Sequence, residues 1–304
     1  MKNTSLGMPG HYVPAQTGAV TPADGVPHGT QDDALLDDYR ALNDPARRRE
    51  VERRGSYFVV EGALALEALL GSAFTVRSVL AAERKAERVR SLVGDRAPVM
   101  VRSDDEVEAI TGFAFHRGVL ASADRRALPG ISRTLEGAEV VVVAEGLTDH
   151  ENVGALFRNA AAFAVDAVLL DPATADPLYR RSVRVSLGQV LRVPWTRVPA
   201  WPDGLGELRR CGFELLALTP AAGAEPIGDV ALDVAARQPR IALLVGAEGA
   251  GLSDAALAAC DRRVRIPIGP GVDSLNVATA AAIAFHRLGR FETWRTPARS
   301  RRSG

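Results

Sequence analysis

Between Glu139 and Ile268 the chain gathers its aliphatic residues into short runs, EVVVVAE, DAVLLD, FELLALT and IALLVG, followed by RVRIPI, in which Arg and aliphatic positions alternate. Runs without polar alternation are the pattern of strands buried on both faces. Helical stretches lie between them, so the order of elements predicts a largely parallel α/β sheet with helices on both faces. Upstream, SYFVVEGALALEALL, from Ser56 to Leu70, predicts a short strand followed by an amphipathic helix. TVRSVLAA, APVMVRS and GVLASAD supply further strands around a helix near Asp104 to Ile110.

The segments between these blocks divide the chain. Residues 34–124 are expected to form a small α/β domain and residues 138–292 a larger one. Residues 125–137, where Pro129, Gly130 and Ser132 interrupt the apolar order, are expected to link them. Residues 1–33 begin with a stretch rich in Gly, Pro, Thr and Ala, almost uncharged and without apolar period. Such a stretch cannot offset the entropy of ordering it, and a disordered tail is expected there. Residues 293–304 read as a basic C-terminal tail. No internal repeat at solenoid periods is evident.

With 304 residues, 47% of them apolar, the chain can bury a sizeable core. Its 37 basic and 37 acidic side chains cancel, so the whole-molecule field gives no argument for a polyanionic partner. Local patches remain: Arg47, Arg48, Arg49, Arg53 and Arg54, and then Arg295, Arg299, Arg301 and Arg302. Each fits a solvated surface as well as it fits nucleic acid. Cys211 and Cys260 are the only cysteines, and their spacing suits neither a metal site nor a disulfide framework. No apolar run approaches the roughly 20 residues that span a bilayer, and the N-terminus lacks the basic-then-apolar order of a secretion signal. A soluble cytoplasmic protein without membrane contact is expected.

Three segments place polar residues where strands give way to helices. In LTDHENVGALFRNAAAFAVDAVLL, Leu147 to Leu170, a polar loop leads into a helix from about Asn152 to Phe163, with Asn152 near its cap position. One reading makes Asn152 a cap and Arg158 a surface residue. The other gives Arg158 a ligand: among Leu156, Phe157, Ala160 and Ala161 a guanidinium is costly unless its planar fork meets a carboxylate or phosphate. His150 is expected in a solvent-exposed loop.

In IALLVGAEGAGLSD, Ile241 to Asp254, an apolar strand ends in a Gly-rich turn, and Ser253 and Asp254 are placed to cap the next helix. The spacing matches neither the dinucleotide fingerprint nor the phosphate loop with its lysine. Its glycines nevertheless allow the backbone to approach a ligand closely. Glu248 is the distinctive side chain there, open to reading as a site residue or as a plain turn carboxylate. In VRIPIGPGVDSLNVATAAA, Val264 to Ala282, GPG breaks the chain and an Ala-rich helix follows, with Asp273 and Ser274 reading as caps. Asn276, between Leu275 and Val277, is unfavourable near a helix start unless its amide is used. An amide with two donors and an acceptor suits the edge of a polar ligand.

In this order the three segments resemble the three motifs of the SpoU (TrmH-like) RNA ribose 2'-O-methyltransferases of the SPOUT superfamily, over roughly Glu139 to Arg290. The spacing N-x-G-x-x-x-R at Asn152, Gly154 and Arg158 and the dozen residues around Ser274 to Asn276 carry most of the likeness. The resemblance implies a trefoil-knotted C-terminal domain, which composition and periodicity alone do not suggest. It implies S-adenosyl-L-methionine as cofactor, bent between the second and third loops against Leu244, Gly246, Glu248, Gly249, Ile266, Ser274, Leu275 and Asn276. It implies a catalytic set of Asn152, Arg158, Glu248, Ser274 and Asn276. In that set Arg158 meets the phosphate next to the target ribose, and Glu248 lies between cofactor loop and catalytic centre, with a pairing to Arg158 as one arrangement. No metal is implied.

FVVEGALALEALL and FHRGVLASA resemble a small ribosomal-protein-like RNA-binding domain often fused ahead of the SpoU core; no chemistry is expected of Glu61 or His116. Arg180, Arg181 and Arg184 in DPLYRRSVRVSLGQV fit a grip on RNA backbone or a solvated helix face. The implied protein is a homodimer that methylates a ribose 2'-hydroxyl in RNA, ribosomal RNA before transfer RNA. A non-catalytic RNA-binding or ribosome-assembly protein is the alternative from another class.

Overall fold

The computed structural model describes residues 31–44, 46 and 57–289. The tail up to residue 30, the Arg47 to Arg54 patch and the basic tail with Arg295 to Arg302 lie outside the described residues. Gln31 to Asp33, assigned to the tail from sequence, belong to a helix, α1 (Gln31–Leu36).

A small sheet holds β1 (Tyr57–Glu61), β2 (Val76–Ala82), β3 (Val99–Arg102) and β4 (Val119–Asp124) in the order β1-β4-β2-β3. β4 runs antiparallel to β1 and β2, and β2 is parallel to β3. Helices α2 (Ala63–Leu70), α3 (Ala86–Val93) and α4 (Asp104–Thr111) connect them. α4 starts with a reciprocal cap: Ser103 accepts from the Glu106 N–H while the Glu106 carboxylate accepts from the Ser103 N–H.

The large sheet has the order β7-β6-β5-β10-β8-β11-β9 and every pairing in it is parallel. Its strands are β5 (Val140–Ala144), β6 (Ala167–Leu170), β7 (Trp195–Arg197), β8 (Phe213–Leu218), β9 (Glu225–Pro226), β10 (Arg240–Val245) and β11 (Arg262–Arg265). The connecting helices are α5 (Ile131–Thr134), α6 (His150–Ala162), α7 (Arg180–Val185), α8 (Leu205–Arg210), α9 (Ile227–Arg237), α10 (Asp254–Ala259) and α11 (Val277–Leu288).

The unbroken aliphatic runs serve two cores at once. Val140, Val142 and Ala144 of β5 pack with Ile241, Leu243 and Val245 of β10 beneath α6, α9 and α11. Val141, Val143, Ala242 and Leu244 face the other way, against Ile131, Leu205, Leu208 and Ala256. Side chains alternate across a strand, so both faces must be apolar when helices cover both. The stretch 125–137, expected as a linker, is anchored: it contains α5, Ile131 is buried in the second core, and Thr196 donates to the Pro129 carbonyl.

The two sheets share a core. Phe58, Val60, Val79 and Ala81 of the small sheet lie in the same buried cluster as Leu178, Val183 and Val190, from the segment between β6 and β7 of the large one. Gly188, with φ +80°, sits against α2 so closely that a Cβ there would stand 2.5 Å from Ala68 Cβ. A glycine is required at that contact both for its backbone and for its lack of side chain.

Candidate active site at the strand ends

Ligands of open α/β sheets bind beyond the carboxyl ends of the strands. Here the ends of β8, β10 and β11 open, together with the start of α11, into a cleft of about 390 Å³. Leu218, Val245, Ile266, Ile268 and Leu275 give it apolar walls, and Thr219, Glu248, Ser274 and Asn276 its polar groups.

The Gly-rich turn after β10 folds back on itself. Ala247 and Gly251 form an isolated antiparallel bridge, and a Cβ on Gly246 would lie 2.2 Å from the Gly251 carbonyl carbon. Any side chain at 246 therefore opens the turn. The far end of the turn is held by Glu145, a buried carboxylate just past β5. It accepts from the Ser253 N–H at 2.9 Å, the Ser253 hydroxyl at 2.7 Å and the Trp201 indole N–H at 2.6 Å. Ser253 in turn caps α10, accepting from the Ala256 N–H, as its sequence position predicts.

Asn276 joins the segments. Its side-chain oxygen accepts from the N–H groups of Ala278 and Thr279, which makes it the cap of α11. Its amide nitrogen donates to Asn152 Oδ1 and to Glu248 Oε1, each at 2.8 Å. Asn152 is buried, while Glu248 and Asn276 are exposed on the cleft side. One side chain thus ties the α6 segment, the Gly-rich turn and the third segment together. Asn159 adds a second tie, donating from its amide to the Ala278 carbonyl.

The structure brings Asn152, Glu248 and Asn276 into one hydrogen-bonded group, and Gly246, Gly249, Ile266, Ser274 and Leu275 around the same cleft. Other expectations are corrected. Leu244 points into the second core rather than the cleft, because it follows Leu243 on alternating faces of β10. Asn152 is not the cap of α6; Asp149 is, accepting from the Glu151 N–H, and Asn152 lies within the first turn. Asp273 and Ser274 do not cap α11, which begins at Val277 because Asn276 holds the capping position. Glu248 pairs with the Asn276 amide and not with Arg158.

Arg158 is exposed and lies outside the lining of the cleft. Six residues beyond Asn152 on α6, it points about 120° away from it around the helix axis. Its exposure removes the burial cost expected from its apolar neighbours. His150 is not in a loop: it opens α6 and its ring sits 4.2 Å from that of Tyr179.

Glu145, Leu218, Thr219 and Pro220 were not singled out in the sequence. The signal for the last three was their place at the end of a buried parallel strand; for Glu145 no local signal separates a strand-end carboxylate with buried partners from a solvated one. Burial pushes the Cys260 thiol up to about 12, with Asp261 adding to the effect, so the thiol form dominates. Among the described residues both cysteines are free, no group of three or more His, Cys, Asp and Glu is arranged to hold a metal ion, and no helix is long and apolar enough to cross a membrane.

A family model described as the SpoU rRNA Methylase family matches residues 139–286. An uncharacterized tRNA/rRNA methyltransferase of Mycobacterium tuberculosis is 46% identical over 223 residues, 73% of this chain and 77% of that relative. The 23S rRNA (guanosine-2'-O-)-methyltransferase RlmB of a Burkholderia species is 30% identical over 160 residues, 51% of this chain and 62% of that relative. Among solved structures, the SpoU methyltransferase AviRb from Streptomyces viridochromogenes, in complex with the cofactor AdoMet, shares the fold. Its TM-score is 0.72 at 23% identity, over 86% of this chain and 99% of that one. The mycobacterial relative matches 73% of this chain at 46% identity, the family model covers the three segments that meet at Asn276, and the chain accordingly belongs to the SpoU (TrmH-like) family of RNA methyltransferases in the SPOUT superfamily.

Proposed function

We propose that this protein transfers a methyl group from S-adenosyl-L-methionine to a ribose 2'-hydroxyl of RNA, with ribosomal RNA as the substrate class and a homodimer as the working form. The observation that carries this reading is the Asn276 amide, which gathers the three family segments at one cleft. The cleft suits the cofactor: its walls are apolar enough for an adenine ring, and the Gly246 to Gly251 turn offers main-chain groups unobstructed by side chains. Main-chain groups of Gly246, Gly249, Ile266, Ser274, Leu275 and Asn276 would hold it. When bound, the cofactor supplies a methyl group on a positively charged sulfur, already activated toward an oxygen nucleophile.

The protein's contribution is alignment and electrostatics. Asn276 has both amide hydrogens and its oxygen committed to Asn152, Glu248 and the α11 backbone, so it positions the site and does not read the ligand edge directly. Ser274, exposed in the cleft, keeps its hydroxyl available to the target nucleotide. Arg158 offers a planar fork of donors to the phosphate beside the target ribose.

Because Arg158 lies outside the lining of its own cleft, the reading calls for a second copy of the chain to bring the two together. Exposed Val272, two residues from Ser274, provides apolar surface for such a contact. The trefoil knot belongs to the same reading, and the insertion of β10 between β5 and β8 supports it. The ribosomal preference rests on the small N-terminal sheet and on the named activity of the Burkholderia relative.

The test is transfer of labelled methyl from S-adenosyl-L-methionine to purified unmodified ribosomal RNA and, separately, transfer RNA. Label in ribosomal RNA supports the reading, and label in transfer RNA alone replaces its substrate class. Calorimetry showing no cofactor binding overturns it in favour of a non-catalytic RNA-binding protein.

A further inference from the structure

Glu61, at the end of β1, was expected to carry no chemistry. Its side chain is only 8% exposed and lies within ion-pair distance of Arg117 at 3.5 Å, Arg180 at 3.3 Å and Arg184 at 3.6 Å. One carboxylate against three guanidinium groups leaves an excess of two positive charges at the junction of the sheets. Arg180 is committed there: it donates to Asn43 Oδ1, stacks 4.3 Å over the Phe113 ring, and is largely buried. Arg117 and Arg184 are 52% and 36% exposed, and with Gly62, Leu64 and Leu187 they line a pocket of about 190 Å³.

The pocket pairs charge with apolar surface. Leu64 is 60% exposed and Leu187 38%, so the pocket has an apolar rim beside its two guanidinium groups. The Arg117 side chain lies beside Gly62, whose φ is +97°, with its Cδ 3.5 Å from where a Cβ would stand. Guanidinium forks bind phosphate oxygens in pairs, and leucine side chains cover the face of a base or ribose. That combination is the chemistry of a nucleotide within a nucleic-acid strand.

We propose that this junction pocket is a second RNA contact, a subsite in which Arg117 and Arg184 hold a phosphate of the substrate and Leu64 and Leu187 cover its base or ribose. The inference rests on the RNA methyltransferase reading above. It also connects to the candidate active site. α7, which carries Arg180 and Arg184, packs so tightly on α6 that a Cβ on Gly154 would lie 2.7 Å from the Ser182 carbonyl. A nucleotide held at the pocket is thereby set in register with the helix that carries Asn152.

The experiment measures binding of fluorescently labelled unmodified ribosomal RNA and transfer RNA to the full-length protein across a salt series. With Arg117→Ala and Arg184→Ala together, the slope of log affinity against log salt falls by about 1 for the RNA that binds, as expected for one phosphate released, and affinity falls about tenfold or more. The loss appears in KM for RNA and not in S-adenosyl-L-methionine affinity. Lysine at both positions restores most of the slope. If the double alanine variant melts early, Leu64→Glu probes the same pocket from an exposed position outside the ion-pair cluster, and it too weakens RNA binding. Wild-type affinity and slope in Leu64→Glu and in the folded double variant overturn the subsite while leaving the methyltransferase reading standing. A wild-type protein that binds neither RNA overturns both.

Discussion

The amide of Asn276 donates to Oδ1 of Asn152 at 2.8 Å, joining positions 124 residues apart, and the same nitrogen donates to Glu248. Because the side-chain oxygen caps α11, structure and site depend on different ends of one amide and can be separated by substitution. Asn276→Asp keeps the capping oxygen but turns an acceptor toward the acceptors of Asn152 and Glu248. It is expected to retain most of the helix stability and lose methyl transfer. Asn276→Ala loses both, with about 1 kcal/mol from the cap alone. Thermal melts beside transfer rates check this; an Asp variant as active as wild type would show that the bridge is not needed.

Glu145 holds the Gly-rich turn from below. Glu145→Gln replaces one acceptor oxygen with an NH2 group that must face the Ser253 N–H or the Trp201 and Ser253 donors. Leaving a buried donor unsatisfied costs about 1–3 kcal/mol. Calorimetric affinity for S-adenosyl-L-methionine should fall along with the melting temperature, and a Gln variant unchanged in both would separate this carboxylate from the cleft.

Two glycines should resist even alanine. At Gly154 a methyl group meets Ser182 O at 2.7 Å and Val185 Cβ at 2.8 Å, so the gain in helix propensity is outweighed by about 1–3 kcal/mol of overpacking between α6 and α7. At Gly188 positive φ adds about 1–2 kcal/mol to the clash with Ala68. Denaturant titration of each variant measures the cost; a stabilised Gly154→Ala would mean that the helices move apart freely.

At the β9 edge of the large sheet, Arg237 and Arg262 hold the Asp233 carboxyl down at about 2, from an ordinary 3.8. Arg262 lowers Glu225 in the same way. A depressed carboxylate contributes stability that is fully present above its ordinary value and is lost as pH falls through the folded one. Denaturation midpoints should therefore drop between pH 4 and 2, less steeply in Asp233→Asn and at high salt, since the pairs are exposed. An acid limb unaltered by Asp233→Asn would remove this network from the account.

The large sheet is legible in the sequence because a strand covered on both faces has no polar alternation to confuse with a helix. β7 and β9 are not, being only Trp195–Arg197 and Glu225–Pro226, too short to show a period. RVRIPI shortens to a strand ending at Arg265, since Pro267 has no N–H to pair.

The site residues that sequence spacing brought together are those tied by hydrogen bonds across segments. Asp149 rather than Asn152, and Asn276 rather than Ser274, cap their helices because capping depends on which side-chain oxygen reaches the free N–H groups. Several polar candidates stood in each segment. Glu61 was illegible for a different reason: Arg117 reaches it only through the pairing of β1 with β4, and Arg180 and Arg184 only through the docking of the two sheets.

The most direct test is the chemical form of the product. RNA labelled by the protein with methyl from S-adenosyl-L-methionine is hydrolysed in alkali, which cuts only next to a free 2'-hydroxyl, and the resistant linkages are mapped by nuclease digestion. The account predicts label in an alkali-resistant dinucleotide with the wild-type chain, and none with Arg158→Ala even though calorimetry shows its cofactor affinity intact. Label on a base in alkali-sensitive mononucleotides, or full labelling by Arg158→Ala, would contradict it.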